Sequence, residues 1–265
     1  IAGMRYVAMK DLPELEREYL VEAHMISKDL ASGAHSGGII AGEAPVSVMV
    51  NEEDHLRIQS ILPGLQLDKA YEECLRFERL PLLQEKYAFT YEFGYLTACP
   101  TNTGTALRAS AMVHVPALVI SGKINSVLES CGKLGLAVRG IYGENSGSGA
   151  HMFQISNQVT LGQSEKEIIT AIEDIIEQIC MLERKCRESL CATGGIHFTD
   201  RIYRALGILK NARTISSEEA LRLLSEVKMG LDLGILQGAT KAEMVTLMTN
   251  VQPASLQKLL GKVLP

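Results

Sequence analysis

Residues 50–60 read "VNEEDHLRIQS" and follow directly on the apolar run Val46-Ser47-Val48-Met49-Val50. Three carboxylates, a histidine and an arginine therefore crowd the end of what reads as a strand. Like charges this close raise one another's pKa and cost free energy unless cations or hydrogen bonds offset them. Taken alone, Glu52, Glu53 and Asp54 fit the opening of a helix, where acidic side chains cap free amides and favour the positive end of the dipole. The flanking sequence has to decide between that reading and a functional one.

Upstream, residues 10–31 look helical, and "ASGAHSGGIIAGEAP" (31–45) is a Gly/Ala/Ser-rich loop leading into the strand. Downstream, Leu65, Ala70, Leu75 and Leu80 mark a less regular helix. "YAFTYEFGYLTA" (87–98) and "TALRASAMVHV" (105–115) are rich in β-formers or alternate, and a turn-like "CPTNTG" separates them, so both are expected as strands. On the second, a period of two puts Arg108 and Ser110 on one face. Residues 116–134 read as a helix, "LGLAVRGIYGE" (134–144) as a strand ending in a loop, and "HMFQISNQVTLG" (151–162) as another strand. Ser164 and Glu167 form a capping box for a long helix with the stripe Ile168, Ile172, Ile175, Ile176, Ile179 and Leu182. After "CATGG" (191–195) the pattern is helical to Pro265, with a second capping box at Ser216 and Glu219. Strands with helices, then helices alone, indicate an α/β (α+β) core with a helical appendage. The expected division is 1–195 and 196–265.

Bulk properties narrow the function classes. A chain of 265 residues that is 46% hydrophobic and 22% charged, with formal charge -5, is a globular composition with no general attraction to nucleic acid or anionic membranes. Any anion site must be local. The longest mostly apolar stretch, around 112–121, is too short to span a bilayer, and no export signal opens the chain, so a cytoplasmic location is expected. The six cysteines include no CxxC pair, which points to free thiols and to no structural metal site. The first residue is Ile1 and not Met, so an upstream segment removed or renumbered away is expected.

Four stretches in order, "NEEDHLR" (51–57), "CPTNTGTALRAS" (99–110), "RGIYGE" (139–144) and "ISNQVTLG" (155–162), resemble the phosphagen kinase family. That family includes creatine and arginine kinases. The tyrosine of "RGIYGE", the run "FQISNQVTLG" and the helical extension resemble its bacterial protein arginine kinase branch most closely. The resemblance covers essentially the whole chain and implies a mostly antiparallel central sheet flanked by helices, followed by a helical dimerisation or regulatory extension.

The chemistry of such a site requires these residue types. A guanidinium has a pKa of roughly 12.5–13.8, so its nitrogen attacks only once a carboxylate orients it and takes a proton. Two carboxylates can grip the edges of its planar fork. By resemblance, Glu53 is the base and Glu144 the second clamp, with Glu52 and Asp54 as local support or water-mediated metal ligands. The donor side needs cations, because transfer concentrates negative charge on the migrating phosphoryl group. Arg57, Arg108 and Arg139 match the family's phosphate-binding arginines. The resemblance also implies ATP with Mg2+, Cys99 tuning the substrate guanidinium, and His24, on a helix, packing against the base. The backbones of Arg108, Ala109, Ser110, Ala111 and Met112 and of Arg139, Gly140, Ile141, Tyr142, Gly143 and Glu144 are expected to line the nucleotide pocket. His55 and His114 read as support.

Some family features have no counterpart in this chain. The family's Ser-Arg-x-Arg motif, which supplies two further phosphate-binding arginines, is not matched, and the arginine-containing phosphoarginine sensor of the protein arginine kinases lies beyond "GKVLP". Losing two preorganised contacts slows transfer by roughly 10⁴–10⁶, so this chain alone is expected to be slow. Ile141 stands where relatives often have threonine. Two other classes remain open: a catalytically impaired relative binding nucleotide, arginine or phosphoarginine, and a cysteine hydrolase using Cys99, for which no partner histidine is placed. The resemblance further implies arginine-containing protein substrates, a zinc-finger activator, a heat-shock repressor, a Clp protease and a homodimer. Leu221, Leu224 and Val227 offer an apolar face that either serves the dimer or packs on the core.

Overall fold

The computed structural model describes residues 3–33, 37–42, 45–81, 83, 86–140 and 150–262. Contacts divide the chain into two compact units. The first is drawn from Ile1–Ala109, Gln158–Glu173 and Gln257–Pro265, and the second from Ser110–Asn157 and Asp174–Leu256.

The first unit is built on a four-stranded antiparallel sheet whose spatial order follows the chain: β1 (Arg5–Ala8), β2 (Gly38–Ala41), β3 (Val46–Val50) and β4 (Leu56–Ser60). β3 is buried on both faces, which explains its unbroken apolar run. Val46 and Val48 face a cluster with Phe77 from α3 (Leu67–Glu78). Met49 joins Met9, Ile26, Leu30 and Ile39 beneath α1 (Glu14–Glu22) and α2 (Lys28–Ala31). Ser47 lies on that second face and is satisfied there, donating to the Met25 carbonyl (3.3 Å) and accepting from Gln59 Nε2 (3.0 Å). A short hairpin, β5 (Phe89–Thr90) with β6 (Gly94–Tyr95), follows α3.

The acidic cluster does not open a helix. Residues 51–55 form the turn of the β3–β4 hairpin, closed by the Asn51 N–H on the His55 carbonyl at 3.0 Å, and Val50 pairs with Leu56 where the ladder resumes. Asn51 takes φ 54°, a left-handed conformation that asparagine tolerates better than most residues. The signal for β4 was present: Leu56-Arg57-Ile58-Gln59-Ser60 alternates with a period of two.

The second unit holds a three-stranded antiparallel sheet in the order β7 (Ser110–His114), β9 (Met152–Asn157), β8 (Leu136–Gly140), with α4 (Pro116–Ile120) and α5 (Ile124–Lys133) between β7 and β8. Its core joins Ala150, Phe198, Ile202 and Ala205 to Leu221, Leu224, Val227 and Met229. These come chiefly from α6 (Glu165–Asn211), whose helix is interrupted by a kink at Gly195 (φ 51°), and from α7 (Ser217–Asp232), with Met244 and Met248 of α8 (Lys241–Asn250) in the same cluster. Leu221, Leu224 and Val227 are thus occupied within the chain's own core. α9 (Pro253–Leu260) ends the described helices. Among the described residues no helix is long and apolar enough to cross a membrane.

Local propensity overestimated several elements. The span 10–31 breaks at residues 23–27, where His24 takes φ 58°. The span 87–98 is only the short hairpin, and 105–115 is a strand only from Ser110, because Ala106 at φ 50° takes the preceding residues out of the extended region. Arg108 therefore lies in a loop and shares no strand face with Ser110. The helix over 116–134 is two helices, divided at Gly122 (φ 70°). The Ser164/Glu167 box forms in both directions, and Ser216 accepts the Glu219 N–H. A further box at Thr240 and Glu243 escaped the sequence reading.

Candidate active site

The three carboxylates of the 51–55 turn have three different partners. Glu52 accepts the Glu53 N–H at 3.0 Å and an Arg57 Nη1 bond at 3.2 Å. Burial works against its ionisation, but the Ser27 side chain, the Glu53 amide and Arg57 outweigh it and hold the carboxyl below its ordinary range. Asp54 Oδ1 accepts the Ala98 N–H at 2.7 Å, which ties the turn to the loop carrying Cys99. Glu53 is exposed, and among the described residues its side chain meets one long amide bond, Asn102 Nδ2 to Oε2 at 3.4 Å. The opposite side of the same amide, Asn102 Oδ1, accepts from Arg108 Nη2 at 3.1 Å. Asn102 thereby links the expected base to an expected phosphate-binding arginine.

The Cys99 loop is braced from behind. The Thr160 hydroxyl, on a residue only 3% exposed, shares its proton between the carbonyls of Thr101 (3.0 Å) and Thr103 (2.8 Å). The Thr160 carbonyl accepts the Thr105 N–H at 3.0 Å. Gly104 sits at φ 115°, and a Cβ there would lie 2.2 Å from the Thr160 carbonyl oxygen, so only glycine fits. On the front, Cys99 Sγ is 3.0 Å from Thr101 Oγ1, whose hydroxyl can donate to the sulfur.

His24 sits in a turn and not on a helix. Its carbonyl accepts Gln59 Nε2 at 2.7 Å, and burial pushes its imidazole pKa down. Ala109 is buried at the end of the same unit. Ser110, Ala111 and Met112 begin β7 in the second unit, where the Ser110 hydroxyl accepts Gln154 Nε2 at 3.0 Å. Arg139 and Gly140 close β8 in that unit, with Arg139 exposed opposite Gln154. Ile141, Tyr142, Gly143 and Glu144 lie outside the described residues. The structure thus brings Glu53, Arg57, Cys99 and Arg108 into one loop cluster of the first unit.

The family described as "ATP:guanido phosphotransferase, C-terminal catalytic domain" matches residues 2–186, and "Protein-arginine kinase McsB C-terminal domain" matches residues 195–265. The chain belongs to the ATP:guanido phosphotransferase family. The protein-arginine kinase of Halothermothrix orenii is 49% identical over 264 residues, covering 98% of this chain and 75% of that protein. The Geobacillus stearothermophilus protein-arginine kinase is 44% identical over 257 residues, covering 97% and 71%. Among solved structures, a duplicated taurocyamine kinase from Schistosoma mansoni with transition-state analogue components superposes with TM-score 0.59 at 29% identity, over 69% of this chain and 27% of that one. Lombricine kinase shares the fold, with TM-score 0.58 at 24% identity over 69% of this chain and 54% of its own.

Of the three carboxylates, two are engaged in holding the loops, and the exposed Glu53 keeps acceptor capacity toward solvent. Asn102, Thr101 and Thr160, which join this loop cluster, were not singled out from the sequence. Their only sequence signal was their place within "CPTNTG" and "ISNQVTLG". Among the described residues no group of three His, Cys, Asp or Glu side chains is placed to hold a metal ion. Mg2+ held mainly by phosphate oxygens and water needs at most one or two carboxylates, so no such group is required of the protein.

Proposed function

We propose that this chain carries the catalytic machinery of a protein-arginine kinase, which transfers the γ-phosphoryl group of ATP to a guanidinium nitrogen of arginine side chains in proteins. The observation that carries this reading is the chain Glu53–Asn102–Arg108, an exposed carboxylate and an exposed guanidinium joined by one amide. Glu53 grips the flat substrate cation and removes a proton from the attacking nitrogen. The nitrogen–phosphorus bond forms as the bond from the γ-phosphorus to the bridging oxygen breaks, the proton goes to Glu53, and ADP leaves. Arg57 and Arg108 hold fixed positive charge for the phosphates, and Arg139 has the same role by its motif. Mg2+ carried with the nucleotide would supply further neutralising charge there, with Glu52 and Asp54 as its water-mediated support by the same resemblance. Cys99, with Thr101 beside it, places a polarisable sulfur near the guanidinium without forming a covalent intermediate.

We assign Glu144 as the second clamp, His24 to the base, and the Ala109–Met112 and Gly140–Gly143 backbones to the nucleotide pocket on the motif resemblance. The same resemblance supports a division near residue 195, a cytoplasmic role in protein quality control and stress, and work with a zinc-finger activator, a heat-shock repressor and a Clp protease. A homodimer through the helical extension would use side chains other than the buried Leu221, Leu224 and Val227, such as the exposed Ile196 and Tyr203.

The test is transfer of radiolabelled γ-phosphate from ATP to an arginine-rich protein by the complete natural polypeptide, giving an acid-labile, base-stable product. Glu53→Gln should lower the rate by about 10²–10⁴. Absence of an acid-labile product from the complete polypeptide removes the reading.

A further inference from the structure

We propose that the hairpin 87–96 docks the polypeptide flanking the substrate arginine, favouring an extended segment with an aromatic or large apolar side chain within about five residues of it. This rests on the arginine-kinase reading and adds what recognises the rest of the substrate. Among the described residues the hairpin is an aromatic ladder anchored at one end. Tyr87 and Tyr95 meet edge to face at 5.8 Å, Tyr95 meets Phe89 at 5.3 Å, and Phe89 meets Tyr91 at 5.9 Å. The inner pair is fixed to the end of α3: the Tyr95 hydroxyl donates to Glu78 Oε1 and the Tyr87 hydroxyl to the Glu78 carbonyl. The outer rings are bare, Tyr91 at 104% exposure, Phe89 at 50% and Phe93 at 45%, with Leu96 beside them at 46%. Rigid, exposed aromatic rings present contact area at low entropic cost, the property that suits them to peptide recognition.

Two observations tie this surface to the reaction. It is continuous with the candidate active site: Tyr95 exchanges backbone hydrogen bonds with Gly104 (2.8 and 3.1 Å), the glycine that closes the Cys99 loop. Three residues lie between Tyr95 and Cys99, four steps along the chain and at most about 14 Å when extended, so a substrate peptide with its arginine at Glu53 reaches the ladder within a few residues. The charge is also complementary. Across residues 87–98 the one charged side chain is Glu92, and the neighbouring turn contributes Glu52, Glu53 and Asp54, which suits a cationic, arginine-bearing segment and disfavours an acidic one. Aromatic faces further accept guanidinium cations.

The experiment compares three substrates with the complete polypeptide: blocked acetyl-arginine amide, a neutral decapeptide with one arginine and a phenylalanine four residues away, and the same peptide with serine in place of the phenylalanine. The phenylalanine peptide should exceed the serine peptide in kcat/KM by roughly tenfold, the scale of one partly buried apolar side chain. In the double variant Tyr91→Ser, Phe93→Ser, both exposed positions, that ratio should fall to about one. Turnover of all three substrates with the ratio unchanged by the variant overturns the hairpin proposal alone. Absence of phosphoarginine from every substrate removes the arginine-kinase reading and this proposal with it. If light scattering finds that the variant dissociates a dimer while the ratio is retained, the hairpin joins two copies of the chain and the proposal is wrong.

Discussion

Substituting Asn102 by alanine should slow phosphoryl transfer without destabilising the fold. The amide of Asn102 makes two contacts, to Glu53 at 3.4 Å and from Arg108 at 3.1 Å. The first is long and is worth about 0.5 kcal/mol. The second involves a charged donor at an exposed position and is worth about 1–1.5 kcal/mol. If both act mainly in aligning the base and the phosphate-binding arginine, their loss raises the barrier by about 1.5–2 kcal/mol, a 10- to 30-fold fall in kcat. The assay is steady-state kinetics of the complete polypeptide on an arginine peptide, with the melting temperature as control, which should move by no more than about 2 °C. Asn102→Asp keeps an acceptor for Arg108 but sets a second negative charge against Glu53, so it should be no faster than the alanine variant. A kcat within twofold of wild type for Asn102→Ala, with the fold intact, would refute the idea that this amide aligns the two groups.

Other outcomes follow from the braces and the buried charges. Thr160→Val removes the hydroxyl that holds the Thr101 and Thr103 carbonyls, and should raise amide hydrogen exchange across 99–105 by about 10-fold or more while leaving exchange in β3 unchanged. In the second unit, Glu183 accepts the Ala117 and Leu118 N–H groups (3.1 and 2.9 Å) and pairs with Arg187 at 2.6 Å, which also bonds Asp232 at 3.0 Å. Glu183→Ala leaves two amides and a buried guanidinium short of partners, and should cost about 3–5 kcal/mol in urea unfolding. His114 and His151 both bond the Ser225 hydroxyl at 2.8 Å. Burial pushes both imidazole pKa values down, helped at His114 by Lys228, Arg187 and His151 against Asp232, and modulated at His151 by Glu226, Arg201, Glu183 and Arg222. Below about pH 6.5 the unfolded chain takes up protons that the folded histidines refuse. Stability is therefore full above that pH and falls below it, by up to about 1.4 kcal/mol per pH unit per histidine. Urea midpoints read by circular dichroism at pH 7.5 and 5.5 should differ in that direction, and His114→Gln should shrink the difference; equal midpoints would contradict the assignment.

How far the sequence alone could be read is clearest in the acidic turn. Crowded carboxylates implied compensation, and Arg57 does pair with Glu52. The alternative of a helix start, which the acidic residues taken alone would fit, is not the one the backbone adopts, because the alternation of Leu56–Ser60 makes a second strand and leaves 51–55 as a turn. Similarly, "YAFTYEFGYLTA" has strong β propensity along its length but pairs over only two residues per strand, since its aromatic rings find partners along the ladder and not across a wider sheet. Of the two expected clamps, Glu53 is located among the loops of the first unit, while Glu144 lies outside the described residues.

Motif order, composition and periodicity were enough to determine the family, the α+β core with a helical extension, and the residue types that transfer requires, because those properties are local in the chain or repeat at fixed spacing. Tertiary structure decided how the three carboxylates of the acidic turn are partnered. Glu52, Glu53 and Asp54 are chemically near-equivalent and adjacent, and only partners from distant segments, Ser27, Ala98 and Asn102, give them separate roles. Hydrogen bonds between residues some 25 to 49 positions apart leave no periodic trace in a single sequence, and so the division of labour at the site exists only once the loops meet.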